Sequence, residues 1–400
     1  MRGYLVPAAI RQDHEAQGKV KILILWSGAV VPAYRQFFLE LAKHMQVRVL
    51  SPQRWTHGSV EFREGSSVKS GEGSGEKSAA FRSGACEILP AAYLPEKSAR
   101  YWVPSLVLHL WAYRPRYLYI MDEMDRPSLA WHALSAKLAW PPVRVVCYAL
   151  QNLRAPAYYR WHHRLALRLN RLLVSRGIAA SEEADQVLKA HGYHGPTRVI
   201  PLWGAESFFM PGDAAAAAEF RRNLGIAPDE ITLVFAGSMV EAKGLLLLKE
   251  ALPRFPRIRL VTAGHGPLAG TVGTRSNRQW IHLGGLEGED LRRFYQAGDY
   301  VILPSVTLPH WKEQVGRSLI EGILCGCVAL GSDSGNIPAL TLFPEATFRQ
   351  GDAEALAGLL GRLPLPEAGA MRAAQRRNVE ERFTSSAVAR ETWKFLEEGG

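Results

Sequence analysis

Two carboxylates, Glu313 and Glu321, stand eight residues apart with Gly316 between them, in the run LPSVTLPHWKEQVGRSLIEG at 303–322. An apolar strand pattern precedes this run and helical spacing follows Gly316. Glu313 is therefore expected ahead of a helix and Glu321 about one turn inside it. The amides of Gln314, Val315, Gly316 and Arg317 would open that helix, where N–H groups without intrahelical partners favour a phosphate. Carboxylates so placed can address different parts of one extended ligand. A second loop, FAGSMVEAKG at 235–244, brings Gly237 and Ser238, which let backbone approach a ligand, and Lys243, a compact charge suited to a diphosphate. A third, GSDSGNIP at 331–338, is small and polar. Each follows a strand, and in an open parallel sheet such loops share the carboxyl edge where ligands bind.

Taken singly, each residue has an ordinary alternative: a loop carboxylate, a helix-surface carboxylate, a solvated lysine. Their shared strand-loop-helix context favours the ligand reading. Gly264-His265-Gly266 superficially suggests a dinucleotide fingerprint but reads as a turn.

The elements that must position these loops alternate strand and helix. Apolar runs at 20–26, 47–50, 117–121, 143–148 and 172–175 read as strands of one parallel sheet, and those at 231–236, 258–263, 280–283, 300–303 and 328–331 as strands of another. At 400 residues two domains are expected. The fold class is α/β, two facing Rossmann-like domains with parallel sheets and a cleft between them. The expected divisions are a flexible extension at 1–19, a first domain at 20–203, a second at 204–380 and a closing helix at 381–400 that packs back on the first domain. Glycines and serines without hydrophobic periodicity make 56–85 a flexible insertion, and the linker is expected within 200–211.

Composition, 47% hydrophobic and 22% charged, is that of a globular chain. The net charge of +10 is unevenly distributed: residues 1–200 hold 27 Lys and Arg against 15 Asp and Glu, the remainder 21 against 23. The first half is thus expected to meet an anionic surface or substrate. From Arg126 through Ser181 there is no acidic residue, and Arg160, Arg164, Arg168 and Arg171 recur at helical spacing beside Trp161, Leu165, Leu169 and Leu172. That pattern suits a basic amphipathic helix on an anionic membrane, or equally a solvated arginine face covering a sheet. Four cysteines without CxxC pairs or histidines at ligand spacing indicate neither zinc nor a disulfide framework, and no run of about 18 apolar residues marks a span. Bulk charge alone gives no support for nucleic-acid binding. Asp122, Glu123 and Asp125 follow the strand at 117–121, as helix-capping residues or as groups that face a ligand.

Taken together, EQVGRSLIE with LPS before it and CGCVALGSDSGNIP after it resembles family 4 of the retaining glycosyltransferases, of GT-B fold, with its E-x7-E motif. AGSMVEAKG, GDAEALAGLL, VPAYRQFFLELA, YALQN and RVIPLWGAESFFMP occur in the expected order, so the resemblance covers about residues 20–398. It implies a retaining enzyme moving a sugar from a UDP- or GDP-sugar to a glycan or lipid-linked acceptor, in cell-surface polysaccharide or glycolipid synthesis, in the cytoplasm at the membrane's inner face. It implies that Glu313 contacts the donor sugar and is catalytic, that Glu321 holds the ribose, and that Lys243 holds the diphosphate. Gly28 would approach the same site from the first domain, with Asp122, Glu123 and Asn152 on the acceptor side. No metal and no cofactor beyond the nucleotide-sugar substrate are implied, and the leaving phosphate itself serves as base. Ser238 stands where the family carries Arg, and Ile337-Pro338-Ala339 where it has Ile-Pro-Glu. Arg317 or Arg35 is expected to replace the missing cation. A nucleotide-sugar epimerase of the same fold and a scaffold without turnover are the alternatives.

Overall fold

The computed structural model describes residues 18–30, 34–52, 54–57, 60–63, 81–94, 101–153, 160–203, 206–272 and 278–398. Residues 1–17 of the expected extension, 58–59 and 64–80 of the expected insertion, and Gly204 and Ala205 of the expected linker lie outside the described residues.

The strands are β1 (Lys21–Leu25), β2 (Gln46–Pro52), β3 (Arg54–His57), β4 (Val60–Arg63), β5 (Phe81–Ser83), β6 (Cys86–Ala91), β7 (Tyr117–Ile120) and β8 (Arg144–Ala149). Then come β9 (Val174–Ala179), β10 (Thr197–Val199), β11 (Ile231–Ala236), β12 (Ile258–Ala263), β13 (Trp280–His282), β14 (Tyr300–Leu303), β15 (Val328–Ser332) and β16 (Thr347–Phe348). The chain divides into two compact units, one of residues 1–148, 160–177 and 392–400, the other of 149–159 and 178–391. By this division the described residues 149–153, and those from 178 to 391, belong to the second unit.

The eight-stranded sheet runs β10-β9-β8-β7-β1-β2-β6-β5. β1 pairs in parallel with β2 and β7, β2 with β6, and β7 with β8, while β5 is antiparallel to β6. In β1, Ile22, Leu23, Ile24 and Leu25 are all buried, as a strand covered on both faces requires. The helices Pro127–Ala139 and Trp161–Leu173 connect β7 to β8 and β8 to β9, stepping the same way along the sheet, so right-handed crossovers put both on one face. The last residues of the chain belong to this unit: Tyr117 and Arg176 donate to the carbonyls of Leu396 and Glu398, and Trp393 stacks on His44 at 4.5 Å.

Among the described residues of 56–85 and those next to them, β3 and β4 form an antiparallel hairpin in register Trp55↔Phe62 and β5 extends the main sheet. Strands of three or four residues carry too little periodicity to be seen in sequence. The strand expected at 172–175 starts at Val174, because the helix Trp161–Leu173 keeps its 3.6-residue pattern through Leu172.

Buried histidines set an acid limit on the first unit. His132 is fully buried, and its Nε2 accepts the amide of Val103 at 3.1 Å; burial pushes it down to about 4 from 6.5. His109 is lowered to about 4 by burial and then by the Arg48 charge. The unfolded chain therefore binds more protons between these values: stability is complete above pH 6.5 and is lost as pH falls toward 4, by about 3 kcal/mol for His132 alone. Asp122, pushed up to about 6 by burial, opposes part of this, since the native state binds its proton first. We expect melting temperature to fall between pH 6.5 and 4, with a shallower slope in His132→Gln; an equal slope would place the acid sensitivity elsewhere.

The second unit carries the sheet β13-β12-β11-β14-β15-β16, parallel at every pairing. From β11 the chain steps to β12 and β13 on one side and returns to β14, β15 and β16 on the other. The strand order thus reverses at the β11/β14 boundary, where an open α/β sheet leaves a crevice at its carboxyl edge.

Candidate active site

The loops after β11 and β14 meet at that reversal. Val306 donates its amide to the Ala242 carbonyl at 2.8 Å. Gly244 has φ +68° and lies so close to β14's exit that a Cβ would stand 1.8 Å from the Pro304 carbonyl oxygen. Only glycine meets both demands.

This lacing brings Lys243 to Glu313. Lys243 Nζ lies 2.6 Å from Glu313 Oε2, and the two side chains are 18% and 8% exposed. The Ser305 hydroxyl donates to the same oxygen at 2.9 Å, and the Gly316 amide to Oε1 at 3.3 Å. Lys243 also sits over the Trp311 ring, 5.0 Å from its centroid, a second attraction that fixes the ammonium. The Glu313 main chain is held as firmly. Its carbonyl accepts Asn152 Nδ2 at 2.9 Å and the Asn336 amide at 3.3 Å. Gly335, with φ +54°, passes so near that a Cβ would lie 1.9 Å from this carbonyl oxygen. A carboxylate clamped at both backbone and side chain loses little freedom when a ligand arrives.

Gly316 then starts the helix Arg317–Leu324, in which Glu321 lies on the buried side. Glu321 accepts Arg317 Nε on Oε1 at 2.8 Å and the Tyr295 hydroxyl on Oε2 at 3.0 Å. Burial, and next the Glu321 charge, hold the Tyr295 hydroxyl protonated well above its usual range, so it acts as a donor. Each Glu321 oxygen retains a further lone-pair direction for a ligand hydroxyl. Gly237 and Ser238 sit beside the loop after β12: Gly237 donates to the Ala263 carbonyl at 3.0 Å and Met239 to that of His265 at 2.8 Å. The 264–266 turn thus braces the loop carrying Ser238.

The expected donor residues Gly237, Ser238, Lys243, Glu313, Gln314, Val315, Gly316, Arg317 and Glu321 all belong to the second unit. Asn152, expected on the acceptor side, belongs there too, and its amide is held on the Glu313 carbonyl. Gly28, Asp122 and Glu123 belong to the first unit. Gly28 has a reason internal to the fold, since a Cβ would lie 2.5 Å from the Trp26 ring. Asp122 accepts the Glu123 amide at 2.9 Å and the Ser128 hydroxyl, which makes it an organiser of the turn after β7. Ser305 and Tyr295 were not singled out from sequence. LPS marked Ser305 only as a neighbour, and nothing local marks Tyr295.

The fold defined by these two parallel-sheet α/β units is GT-B. HepE of Anabaena, solved in complex with UDP, shares 16% identity at a TM-score of 0.67 over 94% of this chain and 99% of its own. Sucrose-phosphate synthase from Thermosynechococcus elongatus shares 17% at 0.67, over 95% and 99%. Within that fold, residues 230–363 match the family model Glycosyl transferases group 1, a stretch that contains Lys243, Glu313 and Glu321. The D-inositol 3-phosphate glycosyltransferase of Mycobacterium sp. (strain KMS) is 28% identical over 182 residues, 42% of this chain and 38% of that protein. The chain therefore spans well under half the length of the curated relatives it matches.

Arg317 shares the helix start with the Glu313 turn and is anchored by Glu321. On the nucleotide-sugar reading proposed below, in which it fills the role of the expected cation, Arg317→Ala should weaken nucleotide binding about tenfold by calorimetry, the loss of one charge-assisted contact, and Arg35→Ala should weaken it less. The reverse order would assign the role to Arg35.

Proposed function

We propose that the chain is a retaining, metal-independent glycosyltransferase that moves a sugar from a UDP- or GDP-sugar to a glycan or lipid-linked acceptor. Cell-surface polysaccharide or glycolipid synthesis at the cytoplasmic side of a membrane is the setting that suits such acceptors, with Arg160, Arg164, Arg168 and Arg171 toward the lipid. The observation that carries the reading is the Lys243–Glu313 pair at the sheet's switch point, just ahead of a helix start. The group 1 match across both residues supports it, and the UDP complex of HepE favours a uridine nucleotide.

In this reading Lys243 turns from Glu313 toward the donor diphosphate while retaining one of its three N–H donors on the carboxylate. As the bond from the anomeric carbon to phosphate breaks, negative charge grows on the leaving nucleotide, and Lys243, Arg317 and the amides of residues 314–317 neutralise it. The acceptor hydroxyl attacks from the face the phosphate leaves. Its proton passes to the departing phosphate oxygen, so configuration is retained without a protein base. Glu313 accepts hydrogen bonds from the donor sugar's hydroxyls and Glu321 from those of the ribose. Gly237 and Ser238 admit the diphosphate close to backbone. Asp122 and Glu123 orient the acceptor, and Gly28 contributes from the loop after β1. The anomeric configuration of the product, read by NMR, tests this: retention is expected, and an inverted linkage would overturn it. An epimerised sugar nucleotide formed without acceptor would replace transfer by epimerisation.

A further inference from the structure

Among the described residues, eleven of the fourteen exposed large apolar side chains fall between residues 94 and 172, all in the first unit. They are not scattered. The helix Leu106–Tyr113 buries Leu106 and Leu110 and turns Val107, Leu108 and Trp111 outward. Beside it the helix Pro127–Ala139 exposes Trp131, Leu134 and Leu138, spaced three and four residues apart on one stripe. Next to that, the helix Trp161–Leu173 exposes Trp161, Leu165 and Leu172. Trp102 meets Trp131 edge-on at 6.4 Å and carries the surface from one helix to the next. Trp111 is 67% exposed, Trp161 75%, Leu138 76% and Leu172 83%, so these rings and methyls lie open on the surface.

Three neighbouring helices that each expose several large apolar side chains concentrate apolar surface of the kind that marks an interaction site. Its charge selects the partner. Arg160, Arg164 and Arg168 are exposed on the same helix as Trp161 and Leu165, and no acidic residue occurs from Arg126 through Ser181. A second copy docked by two-fold symmetry would set this basic stripe against itself. Tryptophan and leucine beside arginine is instead the composition that lies at a lipid headgroup boundary, rings in the acyl region and guanidinium groups on phosphates. Among the described residues no helix is long and apolar enough to cross a membrane.

We propose that this three-helix face is a docking surface for an anionic phospholipid bilayer, with Trp111, Trp131 and Trp161 as the inserted anchors. It deepens the membrane-facing part of the functional reading above by adding aromatic anchors to the arginines, and it carries a catalytic consequence through one contact. Asn170, fully buried in the lipid-facing helix Trp161–Leu173, donates to the carbonyls of Met124 at 2.8 Å and Arg126 at 3.2 Å. The turn bearing Asp122 and Glu123 is thereby fixed to the helix that meets the bilayer.

The test is co-sedimentation of the full chain with vesicles of phosphatidylcholine alone or with phosphatidylglycerol. Wild type is expected to bind the anionic vesicles, and less so in high salt. The variant Trp111→Ser/Trp131→Ser/Trp161→Ser should bind at least about tenfold more weakly. The variant Arg160→Glu/Arg164→Glu/Arg168→Glu should lose the preference for phosphatidylglycerol. Tryptophan fluorescence of wild type should be quenched by vesicles with brominated acyl chains, a readout that needs no variant. Absence of wild-type binding and quenching would overturn the proposal, and so would a dimer in solution abolished by the tryptophan changes. UDP-sugar binding by the same variants should match wild type. A chain that binds vesicles but no nucleotide sugar would leave this surface standing and defeat the transferase reading instead.

Discussion

Glu313→Ala is expected to lower the turnover number for sugar transfer by about a thousandfold, the usual scale for removing a group aimed at the reacting centre. The side chain it deletes accepts Lys243, Ser305 and Gly316 at once. On the proposed reading its loss removes the donor-sugar contact and also releases the ammonium that would neutralise the leaving diphosphate. Glu313→Gln should be nearly as damaging. One amide end is a donor, and both positions it can take already face donors: the Lys243 ammonium on one side and the Gly316 amide on the other. Steady-state transfer at saturating donor, with melting temperature measured alongside, separates lost chemistry from lost folding. Turnover within tenfold of wild type in both variants would remove Glu313 from the reaction.

Gly244→Ala is expected to cost above about 3 kcal/mol of stability. The new Cβ would stand 1.8 Å from a main-chain oxygen, Pro304 O, at a residue with φ +68°. Backbone cannot swing aside as a flexible side chain can. The β11 and β14 loops must separate, parting Lys243 from Glu313. Gly358→Ala is the matched control. It lies exposed in the helix Ala353–Leu360 with nothing within 4 Å of the added methyl, so it should gain about 0.5–1 kcal/mol. Urea denaturation of the two variants reads both signs in one experiment. Equal stabilities would mean that the loops tolerate separation.

The parts of the fold legible in sequence were those whose burial imposes a local pattern. ITLVFA and IRLVTA became β11 and β12 because a strand covered on both faces is apolar throughout. The helix start after Gly316 was legible from one glycine in a strand-loop-helix context. What stayed hidden depends on contacts distant in sequence. YALQN marked Asn152 but not the carbonyl it holds, 161 residues away, and Tyr295 lies 26 residues from Glu321, across a strand, with nothing in its immediate neighbours to distinguish it. β6, CEILPA, has a proline and half-buried positions, which dilute the alternation that identifies a strand.

The central claim, that Lys243, Glu313 and Glu321 together grip a nucleotide-diphosphate sugar, is tested most directly by melting temperature against a panel of UDP-, GDP- and ADP-sugars. A ligand at about a hundred times its Kd stabilises a native protein by about 2.7 kcal/mol, a readily measured shift. The predicted result is stabilisation by sugars of one nucleotide, UDP or GDP, that is largely lost in Glu321→Ala and Lys243→Ala. No stabilisation by any member of the panel, or an undiminished shift in both variants, would contradict it.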